Sequence, residues 1–285
     1  MDSGFERHVR ACNNAVLPGD RIGFFVVDQA VGWIAGPIAS ALDGMPSIRR
    51  AADRVVLTDP TALPGIVRVL SERGLCRLRG EEFDVRATAD GPALTRIDRG
   101  AIPPFGIEAC GVHVNGLVHR PGGVHLWIAR RASDRLLDPG KLDHVVAGGI
   151  PAGLDQARTL IKEAAEEAAI PADLASRAVP IGVISYVMER AEGLRRDRLY
   201  CYDLILPEDF VPEASDGEVE AFELWPLDRA FEAVRDTDDF KFNVNLVLID
   251  LFIRKGLIAD PEAARLRAGL GRGDCGGSRF GFALA

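Results

Sequence analysis

Cysteine is scarce and scattered. The five thiols, Cys12, Cys76, Cys110, Cys201 and Cys275, are odd in number and include no C-x-x-C pair, so neither a disulfide framework nor a cysteine zinc site is indicated. Reduced thiols buried as small apolar side chains fit a cytoplasmic protein. Long apolar runs are missing too. "NLVLIDLFI" (245–253) falls well short of the roughly 20 residues that span a bilayer, and the charged start "MDSGFERHVRACNNAVLPGD" has no secretory apolar stretch. No membrane partner is expected. Positive charge is outweighed: 34 Lys and Arg against 42 Asp and Glu leave a net charge of −8. That balance argues against capture of a nucleic acid polymer and leaves room for a small phosphate ester held by a local basic patch or a metal. No internal repeat or low-complexity tract is present.

What remains is an ordinary globular composition, 47% hydrophobic and 27% charged, over 285 residues, enough for two domains. The expected fold class is α+β. Residues 1–105 read as an N-terminal α+β unit, with strands at 21–28, 30–36, 54–59 and 82–88 and helices in "FERHVRACNNA" and "TALPGIVRVLSERGL". The stretch "DRGAIPPFGIEAC" carries Gly100, Pro103, Pro104 and Gly106, which disfavour regular structure and mark a junction. A second domain then covers 106–265. It opens on a hairpin, "CGVHVNGLVH" and "GVHLWIARR", and continues with a helix near 155–168, two strands in 179–207 joined by a charged loop, a strand at 218–226 and a final helix pair. The Gly-rich stretch 266–285 reads as a tail in which Phe280 and Phe282 are the residues able to dock.

The segment "HVVAGGIPAGLDQARTLIKEAAEEAAIP" (144–171) is chemically the most pointed. At 3.6 residues per turn, Glu163, Glu166 and Glu167 fall within one arc of a helix, with Leu160, Ile161, Ala164, Ala165 and Ala168 around the rest. Like charges at this spacing cost an isolated helix roughly 0.2 to 0.5 kcal/mol per pair, so the cluster gains nothing locally without a cation. A hard divalent ion with oxygen ligands, shared with a substrate phosphate, would neutralise it, and a carbonyl of Gly148 or Gly149 could add a further oxygen. The competing reading is a solvated acidic face.

Residues 148–170 resemble the Nudix box, whose pattern is Gly, five residues, Glu, seven residues, Arg-Glu, an aliphatic residue, any residue, Glu-Glu, any residue, Gly and an aliphatic residue. Gly148, Glu163, Glu166, Glu167 and Ile170 match in register; Leu154, Lys162, Ala164 and Ala169 stand where the pattern has Glu, Arg, a bulky aliphatic residue and Gly. "PGKLDHVVAGGIPAGL", "LRRDRLYCYDLILPEDFVPEASDGEVEAFEL" and "FKFNVNLVLIDLFIRKGLI", with the leading "IGFFVVDQAVGWI", "LRGEEFDV" and "RIDRGAIPPFGI", look like a Nudix subfamily found alone or fused to thiamine pyrophosphokinase.

The resemblance implies a Nudix α/β/α sandwich behind a smaller N-terminal α+β domain, and a hydrolase of organic diphosphates using Mg²⁺ or Mn²⁺. By resemblance Glu163 and Glu167, with Glu166, hold metal alongside Gly148 and Gly149, and Lys162 takes the orienting role of the absent Arg without its planar fork. The base is Glu163, or a later glutamate, Glu218 or Glu220. Arg195, Arg196 and Arg198, the densest basic cluster, are the candidates for phosphate, with Arg130, Arg131 and Lys141 behind them and His144 near the pocket. His113, His119, His125 and His144 crowd together but match no zinc pattern. Trp127 and Trp225 read as core. The implied substrate is thiamine diphosphate or an oxidised or deaminated relative. The alternatives are a nucleotide or nucleotide-sugar diphosphate, or a Nudix-fold sensor that binds without turnover. The N-terminal domain either caps the site and selects substrate or makes a homodimer contact.

Overall fold

The computed structural model describes residues 4–215 and 217–271. The chain begins with α1 (Glu6–Cys12) and then builds a four-stranded sheet from β1 (Ile22–Val26), β2 (Gln29–Ile34), β3 (Ile48–Arg50) and β4 (Arg54–Leu57) in the order β2-β1-β4-β3. Helices α2 (Gly36–Leu42) and α3 (Leu63–Glu72) and a two-stranded ribbon of β5 (Glu82–Val85) and β6 (Thr95–Asp98) complete this unit. Its core gathers Phe24, Leu57, Leu63, Leu70 and Phe105. The expected strands at 21–28, 30–36, 54–59 and 82–88 fall on β1, β2, β4 and β5, and the helix on α3. Helix α2 lies outside the elements expected from the sequence; its proline sits in the first turn, where it gives up an N–H that would lack an intrahelical partner anyway.

Two expectations fail here for packing reasons. The Pro103-Pro104 stretch is not irregular: it forms α4 (Ile102–Phe105), a buried short helix that again places proline in its first turn. Gly106 ends it at φ 55°, where a Cβ would lie 2.3 Å from the Trp33 carbonyl oxygen, so only glycine fits between α4 and β2. The second failure is α1, placed by sequence in the N-terminal unit. Phe5, Val9 and Cys12 bury instead in the core of the following sheet, so the first helix belongs by packing to the other half of the chain.

That half is organised by a seven-stranded sheet. Its path is β11-β12-β7-β8-β13, formed by β7 (Glu108–Arg120), β8 (Gly123–Arg131), β11 (Val179–Arg190), β12 (Gly193–Ile205) and β13 (Val219–Pro226); β9 (Leu142–His144) pairs with β8, and β10 (Val146–Gly149) with β7. The helices are α5 (Gln156–Ala168), α6 (Ala172–Ala175), α7 (Leu227–Asp236), α8 (Val244–Arg254) and α9 (Glu262–Leu270). Alternation along β7 divides the layers: Val112 and Val114 pack toward Leu160, Ala164 and Leu174 of α5 and α6, whereas Leu117 joins Leu248 and Phe252 of α8. The result is helix, sheet, helix.

Residues 266–270, expected within a tail, are helical instead. Leu266 and Leu270 are buried on α9 against Val9 of α1, an apolar stripe that the surrounding glycines mask in the sequence. Cys275, Phe280 and Phe282 lie outside the described residues. Cys12, Cys76, Cys110 and Cys201 are free thiols. Among the described residues no helix is long and apolar enough to cross a membrane.

Candidate active site

Strand β10 runs straight into the glycine loop, and Asp155 then starts α5 by accepting the Arg158 N–H at 2.8 Å. Because α5 lies across the sheet at the β10 end, its acids meet the backbone of that strand. Glu167 is 8% exposed, and its carboxylate accepts the Ala147 N–H at 2.9 Å. It has no cation within ion-pair distance among the described residues. Burial pushes its carboxyl well above the usual carboxylate range; the Ala147 bond opposes this, and Asp143, Glu163 and Glu218 add to it.

Glu163 lies one turn earlier and is also largely buried. A Cβ on Gly148 would stand 2.4 Å from its carboxyl carbon, so the glycine is required for the strand and the acid to touch. Burial raises the Glu163 carboxyl, Lys162 pulls it back, and Glu166 and Glu81 push it up. Glu166 departs from the expected convergence. Half exposed, it turns to Lys162, whose Nζ donates to Glu166 Oε2 at 2.5 Å and to Glu163 Oε1 at 3.2 Å. Lys162 thus orients both acids, but as a point charge. The helix ends at Ala169, held at φ 50°, the left-handed position for which the family pattern specifies glycine.

Glu218 lies within electrostatic range of Glu167 and pairs with Arg135 at 2.6 Å. Glu220 falls at the irregular start of β13 and is exposed. The other candidates disperse further. Arg195, Arg196 and Arg198 are not in a loop but on β12, and a strand sends alternate side chains to opposite faces. Arg195 faces inward, held by Asp197 at 2.8 Å. Arg196 donates to the carbonyls of Val31 and Gly106, and Arg198 pairs with Glu108 at 3.1 Å, both on the far face. Arg130 reaches the Gly140 carbonyl and Lys141 the Asp238 carbonyl, so neither gathers with Arg195.

Behind β10 lies a buried polar cluster. His113 Nδ1 and His144 Nδ1 stand 3.0 Å apart, one ring donating and the other accepting. Burial lowers both imidazoles, His144 to about 4, so both are neutral. Asp143 accepts from the His144 N–H at 2.9 Å, Arg131 at 2.9 Å and Lys241 at 3.2 Å. Burial would raise its carboxyl, but Lys241 and Arg131 outweigh that and hold it low. His144 was expected near the pocket; it sits behind His113, which reaches the cavity instead.

Among the described residues, His113, Asp143 and His144 are the group whose potential ligand atoms all lie within 4.8 Å of one another; the glutamates are not gathered that closely. The histidine group nonetheless suits a divalent ion poorly, because its one carboxylate is already saturated and flanked by two cations. Glu163 and Glu167 suit it better: two oxygen donors, one buried without a cation, beside a glycine whose missing side chain leaves the carbonyls approachable. The residues present therefore fit a hard divalent metal.

The glycine strand is also a wall of a cavity of about 560 Å³ between the two halves of the chain. Gly111, Ala147, Gly148 and Gly149 line it beside Arg195 and Lys241, and residues of the N-terminal unit close the other side. Gly149 is pressed on by that unit: a Cβ there would lie 2.5 Å from the Phe83 ring. Lys241, Asp143 and the arginines of the N-terminal unit escaped the sequence reading, because no local spacing links residues 143 and 241. Trp127 and Trp225 are core, as expected.

A buried acid pair on a helix that follows a glycine loop is thus set against a mixed sheet between helical layers. Known proteins with sequence and fold similarity place the chain in a class. Residues 4–109 match a family model described as a domain of unknown function (DUF4743). The chain is 37% identical over 288 residues to Nudix hydrolase 24, chloroplastic, of Arabidopsis thaliana, covering 96% of this chain and 79% of that protein. It is 36% identical over 282 residues to Nudix hydrolase 20, chloroplastic, of the same plant, covering 92% and 75%. Among solved structures, a protein of Deinococcus radiodurans superposes with a TM-score of 0.45 at 18% identity, over 61% of this chain and 98% of that one. The chain belongs to the Nudix hydrolase family, and it is an enzyme of the hydrolase class.

Proposed function

We propose that this chain is a Mg²⁺- or Mn²⁺-dependent diphosphohydrolase that cleaves thiamine diphosphate, or an oxidised or deaminated relative, to the monophosphate and phosphate. The observation that carries the hydrolytic reading is Glu167, buried with no ion-pair partner among the described residues, beside Glu163 on the helix that packs against the glycine strand, itself a wall of a cavity with cationic residues. The thiamine assignment is supported by the subfamily resemblance of the segments around 139–154, 194–224 and 240–258. Both halves of the chain take part in that resemblance.

Glu163 and Glu167, with Glu166 at the rim and a carbonyl of Gly148 or Gly149, would hold the metal. When bound, the ion supplies charge neutralisation and orientation to the diphosphate oxygens, which phosphoryl transfer needs more than covalent help. The chain does the rest. Hydrolysis joins a water oxygen to phosphorus, breaks the bridging P–O bond, and requires a carboxylate to take the water's proton. Glu163, with a carboxyl raised by burial, is suited to that task, and Glu218 is the alternative. Arg195, held on the cavity side by Asp197 and Glu192, is the candidate of the three for the phosphate, while Arg196 ties the sheet to the N-terminal unit through the Val31 carbonyl and Arg198 stays within the sheet on Glu108.

The test is hydrolysis of a panel with Mg²⁺: thiamine diphosphate, oxothiamine diphosphate, ADP-ribose and a dinucleoside tetraphosphate. Preference for the thiamine compounds is expected. Equal or better turnover of the nucleotides would refute the substrate, and binding without any turnover would favour a sensor.

A further inference from the structure

The cavity carries more positive charge than an acid-based metal site explains. Arg77, Arg79 and Arg99 reach its wall from the N-terminal unit and Arg195 and Lys241 from the other side, against only Glu192 and Asp197 among the acids lining it. Most of these cations are already engaged. Arg195 is paired with Asp197 and Glu192, Lys241 with Asp143, and Arg99 with Glu81 at 2.7 Å. Arg77 and Arg79 have no carboxylate within ion-pair distance among the described residues. Arg79 also stands within electrostatic range of Arg99, Arg195 and Arg135, with Glu192 the one carboxylate that offsets them at that range. Like charges gathered at a cavity mouth repel one another, and an anion between them relieves the repulsion.

The arginines do not sit on a loose loop. Asp98 Oδ1 accepts the N–H groups of Arg79 at 2.9 Å and Gly100 at 2.8 Å, and its Oδ2 accepts that of Gly80 at 2.8 Å. A Cβ on Gly100 would lie 1.7 Å from the Arg77 carbonyl oxygen, so the 98–100 turn is packed directly against the segment that carries Arg77 and Arg79. The same region communicates with the acids, since Glu81, the partner of Arg99, lies within electrostatic range of Glu163. One wall of the cavity is therefore the Gly148-Gly149 strand behind which Glu163 sits, and another is a segment with a fixed backbone that carries Arg77 and Arg79, neither of them in an ion pair among the described residues.

We propose that Arg79, supported by Arg77, is an anion subsite contributed by the N-terminal unit, which takes the phosphoryl oxygens of the substrate not engaged at the glutamates. The N-terminal unit thereby becomes part of the recognition site, and Asp98 is its positioning residue. The planar fork of Arg79 suits two phosphoryl oxygens at once, and the subsite favours compounds with a terminal, doubly charged phosphate. The inference rests on reading this cavity as the diphosphate site.

The experiment is calorimetric titration of inorganic pyrophosphate into the whole 285-residue chain in EDTA, so that no metal contributes. Arg79→Ala is expected to weaken binding at least about tenfold, Arg79→Glu to abolish it, and Arg79→Lys to keep part of it. Asp98→Ala, which leaves the arginine but frees its loop, is expected to weaken binding severalfold. Arg79 is exposed, so its variants should fold as the parent does, checked by circular dichroism. Wild-type affinity in Arg79→Glu, or no uptake of pyrophosphate by the parent protein, overturns the proposal. Hydrolysis by Glu167→Gln with Mg²⁺ is read separately: if it survives, the metal assignment falls, and the pyrophosphate titration still decides the subsite.

Discussion

Glu167→Gln separates the energetic cost of the site from its use. The carboxylate is 8% exposed, bonded to one N–H and without a cation within ion-pair distance among the described residues, Lys241 acting on it only at longer range. Glutamine keeps a carbonyl oxygen for the Ala147 N–H and removes the charge. An inadequately compensated buried polar group costs about 1 to 3 kcal/mol, more when charged, so in EDTA at neutral pH the variant should be more stable than the parent by that amount. For a chain of this size each kcal/mol shifts Tm by roughly 2 to 4 °C. The sign with pH follows from the raised carboxyl. The parent bears no penalty below the unfolded carboxylate value, about 4.3, and loses stability relative to the variant as pH rises through the folded value. The Tm difference should vanish near pH 4 and widen toward neutrality. Mg²⁺ at about 1,000 times its Kd should reverse the order, because only the parent then gains about 4.1 kcal/mol, and hydrolysis by the variant should fall by roughly 100-fold or more. Scanning calorimetry in EDTA and in Mg²⁺, beside a phosphate-release assay, reads all three. A variant less stable in EDTA, or stabilised by Mg²⁺ as much as the parent, would refute the reasoning.

Three further outcomes are expected. Gly148→Ala places a methyl 2.4 Å from the Glu163 carboxyl carbon, so hydrolysis should drop on the order of 100-fold through displacement of that acid, with far-ultraviolet circular dichroism unchanged. Ala169→Gly relieves the positive φ at the end of α5 and should stabilise the protein by about 0.5 to 1 kcal/mol in urea denaturation; a loss of stability there would contradict the strain. Asp143→Asn leaves Lys241 and Arg131 buried beside a neutral group and should cost about 3 to 5 kcal/mol, whereas a cost below about 1 kcal/mol would show that the triad is solvated.

Helical spacing alone placed Glu163, Glu166 and Glu167 on one face, yet it could not say that Glu166 would turn outward to Lys162 while Glu167 went under β10. That choice depends on how α5 is rotated against the sheet. The basic cluster at 195–198 illustrates the same limit from the other side. Three arginines within four positions look like one patch, but on a strand the period of two sends Arg195 to the cavity and Arg196 and Arg198 to the opposite face. Reading "GLRRDRLY" as a loop hid this, since a charged strand carries no apolar alternation to reveal it.

The hairpin, the acidic helix with its glycine approach, most strands of both halves and the family pattern were legible beforehand, because each is written in spacing along a short stretch. Packing was needed to show that α1 and α9 close the second core, that Lys241 meets Asp143 across 98 positions, and that Arg79 lines one cavity with the glycine strand. One cause underlies all three. Periodicity records which side of an element is apolar, whereas a cavity is defined by which elements face one another, and that is settled only when burial of those apolar sides brings distant segments together.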